Sequence, residues 1–347
     1  MTITRIFQGG AELNTLAEFP AQSAGSGTPT ISANKARTGA YAVSVQNGTI
    51  KSIGAAFAAV TQIRAGVWLN HMGLGGASVT YKAVIFRWTT PAGSTNYLRW
   101  MGDTGIELVI NGVVVVTISP ASAGISSVDT WYHLGISLFA DTTAGWASVY
   151  VDGNKIIELT GIDTSTGITG VYFGGSLGAG GWANYAYFDD FYVDATPGEA
   201  DEAVPQKRFL WGVANGNGAS SQWVGNDADS VDNYALVDDV TPDNDTTYVY
   251  TQAVNQKDTY ALADITVPVG YVIVAAIPTA LAKRAGVTEE LKLVTFDGTT
   301  TVLSAAKVPA ASYAPVWDRQ ETQPDASAWN EADLNAAEIG YQSAGSF

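Results

Sequence analysis

The chain has 347 residues, no cysteine, and 33 acidic against 17 basic side chains, for a formal net charge of −16. That balance excludes a basic footprint for nucleic-acid phosphates, and the missing thiols exclude disulfide staples, thiolate metal sites and cysteine nucleophiles. At 46% hydrophobic and 14% charged residues the composition is that of a folded protein, and the length suits two domains with separate cores.

The opening residues, MTITRIFQGG, show no basic segment leading into an apolar one, so no signal peptide is expected. Residues 2–7 read as an edge strand, and the Ala/Ser/Gly-rich stretch 20–30 reads as a loop. Strand patterns follow at 40–45, 50–57, 65–72, 79–88, 96–101, 106–110 and 113–118. Asn111-Gly112 joins the last two as a hairpin turn, because both positions of that turn need φ > 0.

The densest β signal runs from Trp131 to Asp194. In WYHLGISLF, Tyr132, Leu134, Ile136 and Leu138 share one apolar face, and Trp131, His133, Gly135, Ser137 and Phe139 share the other. Asp152-Gly153 is a second hairpin signal, between VYV and KII. These are antiparallel strands of a β-sandwich. The order Trp-Tyr-His-Leu (131–134), VYVDG (149–153), VYFGG (171–175) and YFDDFYV (187–193) resembles the concanavalin A-like, or laminin-G-like, jelly-roll domains. The resemblance covers about residues 1–196 and implies the fold; that fold serves lectins, glycosidases, adhesion modules and virion proteins alike.

TPGEADEAVPQK (196–207), with its prolines, glycine and acids, reads as an exposed boundary, giving a linker at 197–205 between domains at 1–196 and 206–347. The acidity is uneven. Residues 1–196 hold nine Lys and Arg against twelve Asp and Glu, and the remainder holds eight against twenty-one. The second domain opens with a Gly/Asn-rich stretch read as a loop, FLWGVANGNGASSQW. Strand patterns follow at NYALVDD, TTYVYT, DTYALADI, GYVIVAAI, ELKLVTF, TTVLSAA and SYAPVWD, with Asp297-Gly298 as a third hairpin signal. The apolar run 265–282 is broken by Pro268, Gly270 and Pro278, so it reads as a buried strand with turns, not a membrane span. One helix is expected near the end, capped by Asn330 with Asp333 three residues on, carrying Leu334 and Ala337 on one face and stopped by Gly340. The fold class is therefore all-β: two β-sandwich, jelly-roll domains, the second with one short helix near the C-terminus.

FLWGVANGNG, NYALVDDVTPDNDTTYVYT and KDTYALADI, closed by QPDASAWNEADLNAAEIGYQ, resemble the C-terminal domain of structural proteins of tailed bacteriophages. The ending 324–341 is the most specific part. The resemblance implies a virion component assembled in the host cytoplasm (head decoration, collar, tail or fibre), with other virion proteins as partners and a closed homo-oligomer. In that setting Trp317 and Trp329 are candidate docking anchors, with buried core roles as the alternative.

Catalysis is not expected. The glycosidases of the concanavalin-like fold use E-x-D-x-x-E or E-x-D-x-E on one strand, and neither 157–163 nor 107–112 supplies it. The histidines are His71 and His133, and His133 reads as a sheet residue. No cofactor is expected, with structural calcium as the alternative at Asp227, Asp229 and Asp232, at Asp243 and Asp245, or at Asp189 beside Asp190. The two loop clusters read first as solvated surface. Resemblance to jelly rolls raises Asp189/Asp190, whose side chains alternation would place on opposite faces, so that at most one would be a ligand. The rival function is an adhesin for host-surface glycans. Its candidate ring is Trp182 with Asn184 and Tyr185 beside it, then Trp146.

Overall fold

The structure is a computed structural model that describes residues 4–11, 19, 21–22, 27–45, 52–71, 82–93, 96–101, 105–125, 127, 129–175, 186–199, 201, 204–239 and 241–345. The chain divides into two compact units, Met1–Phe209 and Leu210–Phe347. Every strand pairing is antiparallel, and a single short α-helix is present among the described residues, so the protein is all-β.

The first unit begins with β1 (Thr4–Gly9), β2 (Ala21–Gln22), β3 (Thr30–Ser32), β4 (Ala42–Val45) and β5 (Ile53–Val60). It continues with β6 (Gln62–His71), β7 (Lys82–Thr89), β8 (Asn96–Met101), β9 (Gly105–Ile110) and β10 (Val113–Ile118). The last five are β11 (Trp131–Phe139), β12 (Gly145–Val151), β13 (Asn154–Ile162), β14 (Ile168–Phe173) and β15 (Ala186–Ala195). They form two sheets, β13-β12-β11-β6-β15-β4-β3 with β1 on β15, and β10-β9-β8-β7-β14-β5-β2. Alternate residues from both close one core: Leu134, Ile136, Val67, Leu69, Val149 and Phe188 from the eight-stranded sheet meet Phe86, Trp88, Leu98, Leu108 and Phe173 from the seven-stranded sheet. The pattern follows from the two-residue period, which sends one apolar set inward on each strand. Both hairpin turns read in this half hold their left-handed conformation, at φ 51° and 78° for Asn111-Gly112 and 49° and 83° for Asp152-Gly153.

The middle of the outward face of the eight-stranded sheet is covered. The described residues of the stretch read as an exposed linker lie along it instead, because Glu199, Asp201 and Val204 find partners there. Gln62 brackets it at the start, accepting from the Gly198 amide at 3.1 Å and donating to the Glu199 carbonyl at 2.8 Å. Arg64 pairs with Glu199 at 3.0 Å. Val204 is 1% exposed and packs on Tyr150 and Tyr192, with Phe209 alongside. The Trp68 indole donates to the Lys207 carbonyl at 2.8 Å, and Lys207 Nζ reaches Asp194 at 2.6 Å. Gly135 and Gly66 face each other across β11 and β6, leaving a furrow without side chains. A Cβ on Gly135 would sit 2.5 Å from Val204, and one on Gly66 would sit 2.4 Å from the Tyr192 ring. Gly135→Val is therefore expected to lift the 199–209 strap, costing about 1–3 kcal/mol of stability by overpacking. Limited proteolysis should then cut within 197–209 faster than in the parent; unchanged cleavage would mean that the strap is not held there.

The second unit contains β16 (Ala214–Ser221), β17 (Val224–Gly225), a 3₁₀ turn (Asn233–Leu236), β18 (Val249–Tyr250), β19 (Lys257–Leu262) and β20 (Thr279–Ala282). It ends with β21 (Glu289–Phe296), β22 (Thr301–Leu303), β23 (Ala314–Trp317), α1 (Glu331–Ala336) and β24 (Glu338–Gly345). A five-stranded sheet, β16-β19-β24-β21-β22, is faced by the β20-β23 ribbon, and Leu291, Leu293 and Val316 close the small core between them. Asn330 caps α1 through its side chain, accepting from the Asp333 amide at 3.0 Å. The helix stops at Ala337, not at Gly340, which lies inside β24 where a Cβ would come 1.9 Å from the Asp258 carbonyl oxygen.

Three other expectations fail in this half. The Gly/Asn-rich opening is largely strand β16, and NYALVDD turns into the 3₁₀ segment. Asp297-Gly298 does close a hairpin, from β21 to β22, through the loop 297–300, where Asp297 Oδ1 accepts from the amides of Thr299 and Thr300. The apolar run 265–282 is not a buried strand: Val269, Val272 and Val274 are exposed, and only Thr279–Ala282 pairs.

Candidate functional site

The outer face of the eight-stranded sheet gathers residues from five strands in cross-strand rows. One row places Tyr150, Gly135, Gly66 and Tyr192 side by side, and the next places Glu158, Ser148, Ser137, Arg64 and Asp194. The strap covers the middle of both rows. His133 lies beneath it, fully buried, with Trp68 edge-on at 5.3 Å and Tyr192 stacked at 6.3 Å. Neither imidazole nitrogen has a hydrogen-bond partner. Burial, with the Lys207 charge nearby, lowers the His133 pKa to about 3, so the ring is neutral at physiological pH.

Beyond the strap the same face opens. Phe139 and Trp146 are cross-strand partners at the end of β11 and β12, with ring centroids 6.2 Å apart and planes 26° from parallel. Both are partly exposed. Polar groups flank them one row inward: Lys155 Nζ bridges Glu158 at 2.9 Å and Asp201 at 2.8 Å, and Asp201 also accepts from the Tyr150 hydroxyl at 3.0 Å. Two adjacent flat apolar rings beside a fixed set of donors and acceptors is the arrangement that receives the C–H face of a sugar and orients its hydroxyls.

The outer face of the seven-stranded sheet carries a second polar row. Tyr172, Arg87, Tyr97 and Val109 are successive cross-strand neighbours on β14, β7, β8 and β9. In the adjoining row the Arg99 guanidinium donates twice to Glu107 Oε2, at 2.8 and 2.6 Å, and once to the Tyr97 hydroxyl at 3.1 Å. A cleft of about 510 Å³ at the end of this unit is lined by Asn111, Gly112, Thr142, Asp163, Ser165 and Thr166 among others. Asp163 there is occupied by the Ser165 amide, and among the described residues no ring lines the cleft for a sugar to stack on.

Trp182, Asn184 and Tyr185 lie outside the described residues. Trp146 stands on the open part of the face. Asp189 does not present itself to an ion. It is fully buried at a bulge in β15, with Oδ2 accepting from the amides of Arg37 and Thr38 and Oδ1 from that of Asp190. Asp190 does not alternate cleanly to the opposite face. It takes φ 51° in the bulge, and its Oδ1 accepts from Thr38 Oγ1 and the Phe209 amide. Burial pushes its pKa up to about 7.

Asp227 and Asp229 are exposed and each accepts an amide two residues on, a local turn geometry that turns the carboxylates to their own backbone. Asp232 is exposed beside them. Asp243 holds Thr247, and Asp245 pairs with Lys283. Among the described residues no three Asp, Glu or His converge as a metal cage. Trp329 is 5% exposed, its indole donating to the Gln320 carbonyl, so its role is in the core and not at a docking surface. Trp317 is 37% exposed on the ribbon.

The residues that sequence reasoning passed over are Arg87, Tyr97, Tyr172 and Phe139. Alternation along VIFRW and NYLRW already set Arg87 and Tyr97 outward, and cross-strand alignment joins them to Tyr172, as it joins Phe139 to Trp146 on the other sheet.

No family model matches the chain, and no curated protein is similar enough to stand as a relative. Several solved structures are similar to part of the chain. An alginate lyase from Chlorella virus is 13% identical at TM-score 0.42, over 56% of this chain and 100% of its own. Domain 4 of an extracellular arabinanase from Geobacillus stearothermophilus, in complex with arabinotriose, is 14% identical at TM-score 0.39, over 59% and 96%. A cellulose-induced protein is 17% identical at TM-score 0.39, over 50% and 90%. The likeness is one of fold and brings no activity with it. None of the three bears on the resemblance to phage proteins.

Proposed function

We propose that the first unit is a non-catalytic carbohydrate-binding module that seats a sugar ring on the Trp146–Phe139 pair. The observation that carries this is the near-parallel, partly exposed ring pair at 6.2 Å on an otherwise covered sheet face. The covering strap supports the non-catalytic part. It keeps His133 away from any ligand, and the carboxylates in it and under it are paired: Glu199 with Arg64, Asp201 with Lys155 and Asp194 with Lys207. If the ending at 324–341 marks a virion component, as its resemblance implies, the glycan is one of a host-cell surface and the module acts as an adhesin.

Calorimetric titration of the full chain with neutral xylo-, arabino- and cello-oligosaccharides tests the site. Trp146→Ala is expected to weaken the best of them about tenfold, the loss of one stacking contact, and Trp146→Phe to restore most of the affinity. Binding that ignores both substitutions would remove the site, and no binding in the millimolar range would remove the reading.

A further inference from the structure

We propose that the outer face of the seven-stranded sheet binds an acidic sugar, with Arg87 taking the carboxylate of a hexuronate residue. The proposal rests on the carbohydrate reading and names the ligand class, at a face separate from the Trp146 pair.

Arg87 is a cation without an acid. The chain has almost twice as many acidic as basic side chains, and the other arginine on this face, Arg99, is spent on Glu107. Among the described residues Arg87 has no hydrogen bond and no ion pair. It is partly exposed, while its two cross-strand neighbours, Tyr172 and Tyr97, are each 9% exposed. Arg87 therefore stands partly exposed in a cross-strand row between two largely buried tyrosines. Partial burial strengthens a charge pair by displacing water, and a guanidinium offers two parallel N–H groups that match both oxygens of a carboxylate.

The neighbouring row adds specificity. Tyr97 and Arg99 are two residues apart on β8 and so share a face. Arg99 neutralises Glu107 through Oε2, which leaves Glu107 Oε1 as an acceptor toward sugar hydroxyls. One unmatched positive charge beside a neutral ion pair and two rings suits a ring that carries one carboxylate and several hydroxyls. A polyanionic surface would call for several unmatched cations, and among the side chains described on this face Arg87 is the unmatched one.

The test is equilibrium binding of the full chain to oligosaccharides of glucuronate, galacturonate, mannuronate and guluronate, each beside its uncharged methyl ester. At least one acid is expected to bind, its ester about tenfold more weakly or worse, since a hydrogen-bonded charge pair is lost. Arg87→Gln should erase the preference for acid over ester, and Arg87→Lys should keep part of it, both with an unchanged unfolding midpoint. Equal binding of acid and ester, or a preference that survives Arg87→Gln, would overturn the proposal. So would displacement by inorganic sulfate or poly-glutamate as effective as by the sugar, which would mark a plain anion site or a peptide site. If no uronate binds while Trp146-dependent binding of neutral sugars persists, this inference falls alone. If Arg87-dependent uronate binding persists without the Trp146 site, the inference stands and the ring pair loses its role.

Discussion

Asp258→Ala is expected to lower the thermal unfolding midpoint of the C-terminal unit by about 10–20 °C while leaving that of the N-terminal unit in place. Asp258 is fully buried in β19 and binds four donors. Its Oδ1 accepts the backbone amides of Gln222 and Trp223, the latter at 2.7 Å, where the chain leaves β16. Its Oδ2 accepts from Asn233 Nδ2 at 2.6 Å, at the start of the 3₁₀ segment, and from the Tyr260 hydroxyl at 3.0 Å. Tyr260 in turn shares a 2.7 Å hydrogen bond with Tyr341 of the central strand β24. Desolvation first, then the neighbouring charges, pushes both phenols well above the usual tyrosine range, so both keep their protons.

One carboxylate thus ties a turn, a 3₁₀ segment and two strands in a unit whose apolar core is only Leu291, Leu293, Val316 and their half-buried neighbours. Removing it strands several buried donors at once, on the order of 4 kcal/mol when each costs about 1–3 kcal/mol and some recover water. Asp258→Asn keeps an acceptor for the amides but sets its NH₂ against Asn233, so it should fall between the parent and alanine. Differential scanning calorimetry with intact N-terminal unfolding as the internal control reads the effect. A midpoint within a few degrees of the parent in the alanine variant would mean that the turn and the strands are held by other contacts.

The first unit was legible because its signals are local. Alternation in WYHLGISLF and the Asn-Gly and Asp-Gly turns depend on residues within one hairpin, and the structure keeps them. The strap was not legible as a cover, since TPGEADEAVPQK has the composition of a solvated linker and its partners sit more than a hundred residues away at Arg64 and Trp68. A sign of it lay in the polar side of two strands. Gly66 with Trp68, and His133 with Gly135, are not what a water-facing strand carries. The second unit misled the reading for the opposite reason. Its strands are short and its valines at 269, 272 and 274 face solvent, so hydrophobicity did not report burial there. The helix cap at Asn330 needed only four residues and was right. The ring pair was half visible: Trp146 stood out as an aromatic beside a polar turn, but Phe139 joined it only through strand register. Nothing in the linear pattern distinguished Arg87 from Arg99, because pairing with Glu107 is decided by which strands are neighbours.

The second large effect is one of pH, and it is hidden in the parent protein by opposition between two buried groups. His133 titrates at about 3 when folded against 6.5 for the free side chain. Between those values the unfolded chain binds a proton that the folded one refuses, so His133 removes stability as pH falls from 6.5 toward 3. Asp190 titrates at about 7 when folded against 3.8 free. Here the folded chain holds the proton and the unfolded one releases it, so Asp190 removes stability as pH rises from 3.8 toward 7. The two contributions have opposite signs, so over the shared window they offset one another. The cause is the same strap for both, since Val204 and Lys207 enclose the imidazole and the Phe209 amide closes over the carboxyl. His133→Gln is expected to leave a protein that gains stability on going from pH 6.5 to 4, and Asp190→Asn one that loses it. Urea unfolding of both variants at pH 4, 5.5 and 7 measures the two slopes directly. Opposite signs would place both groups under a closed strap, and parallel profiles would mean that water reaches His133 and Asp190 in the folded chain.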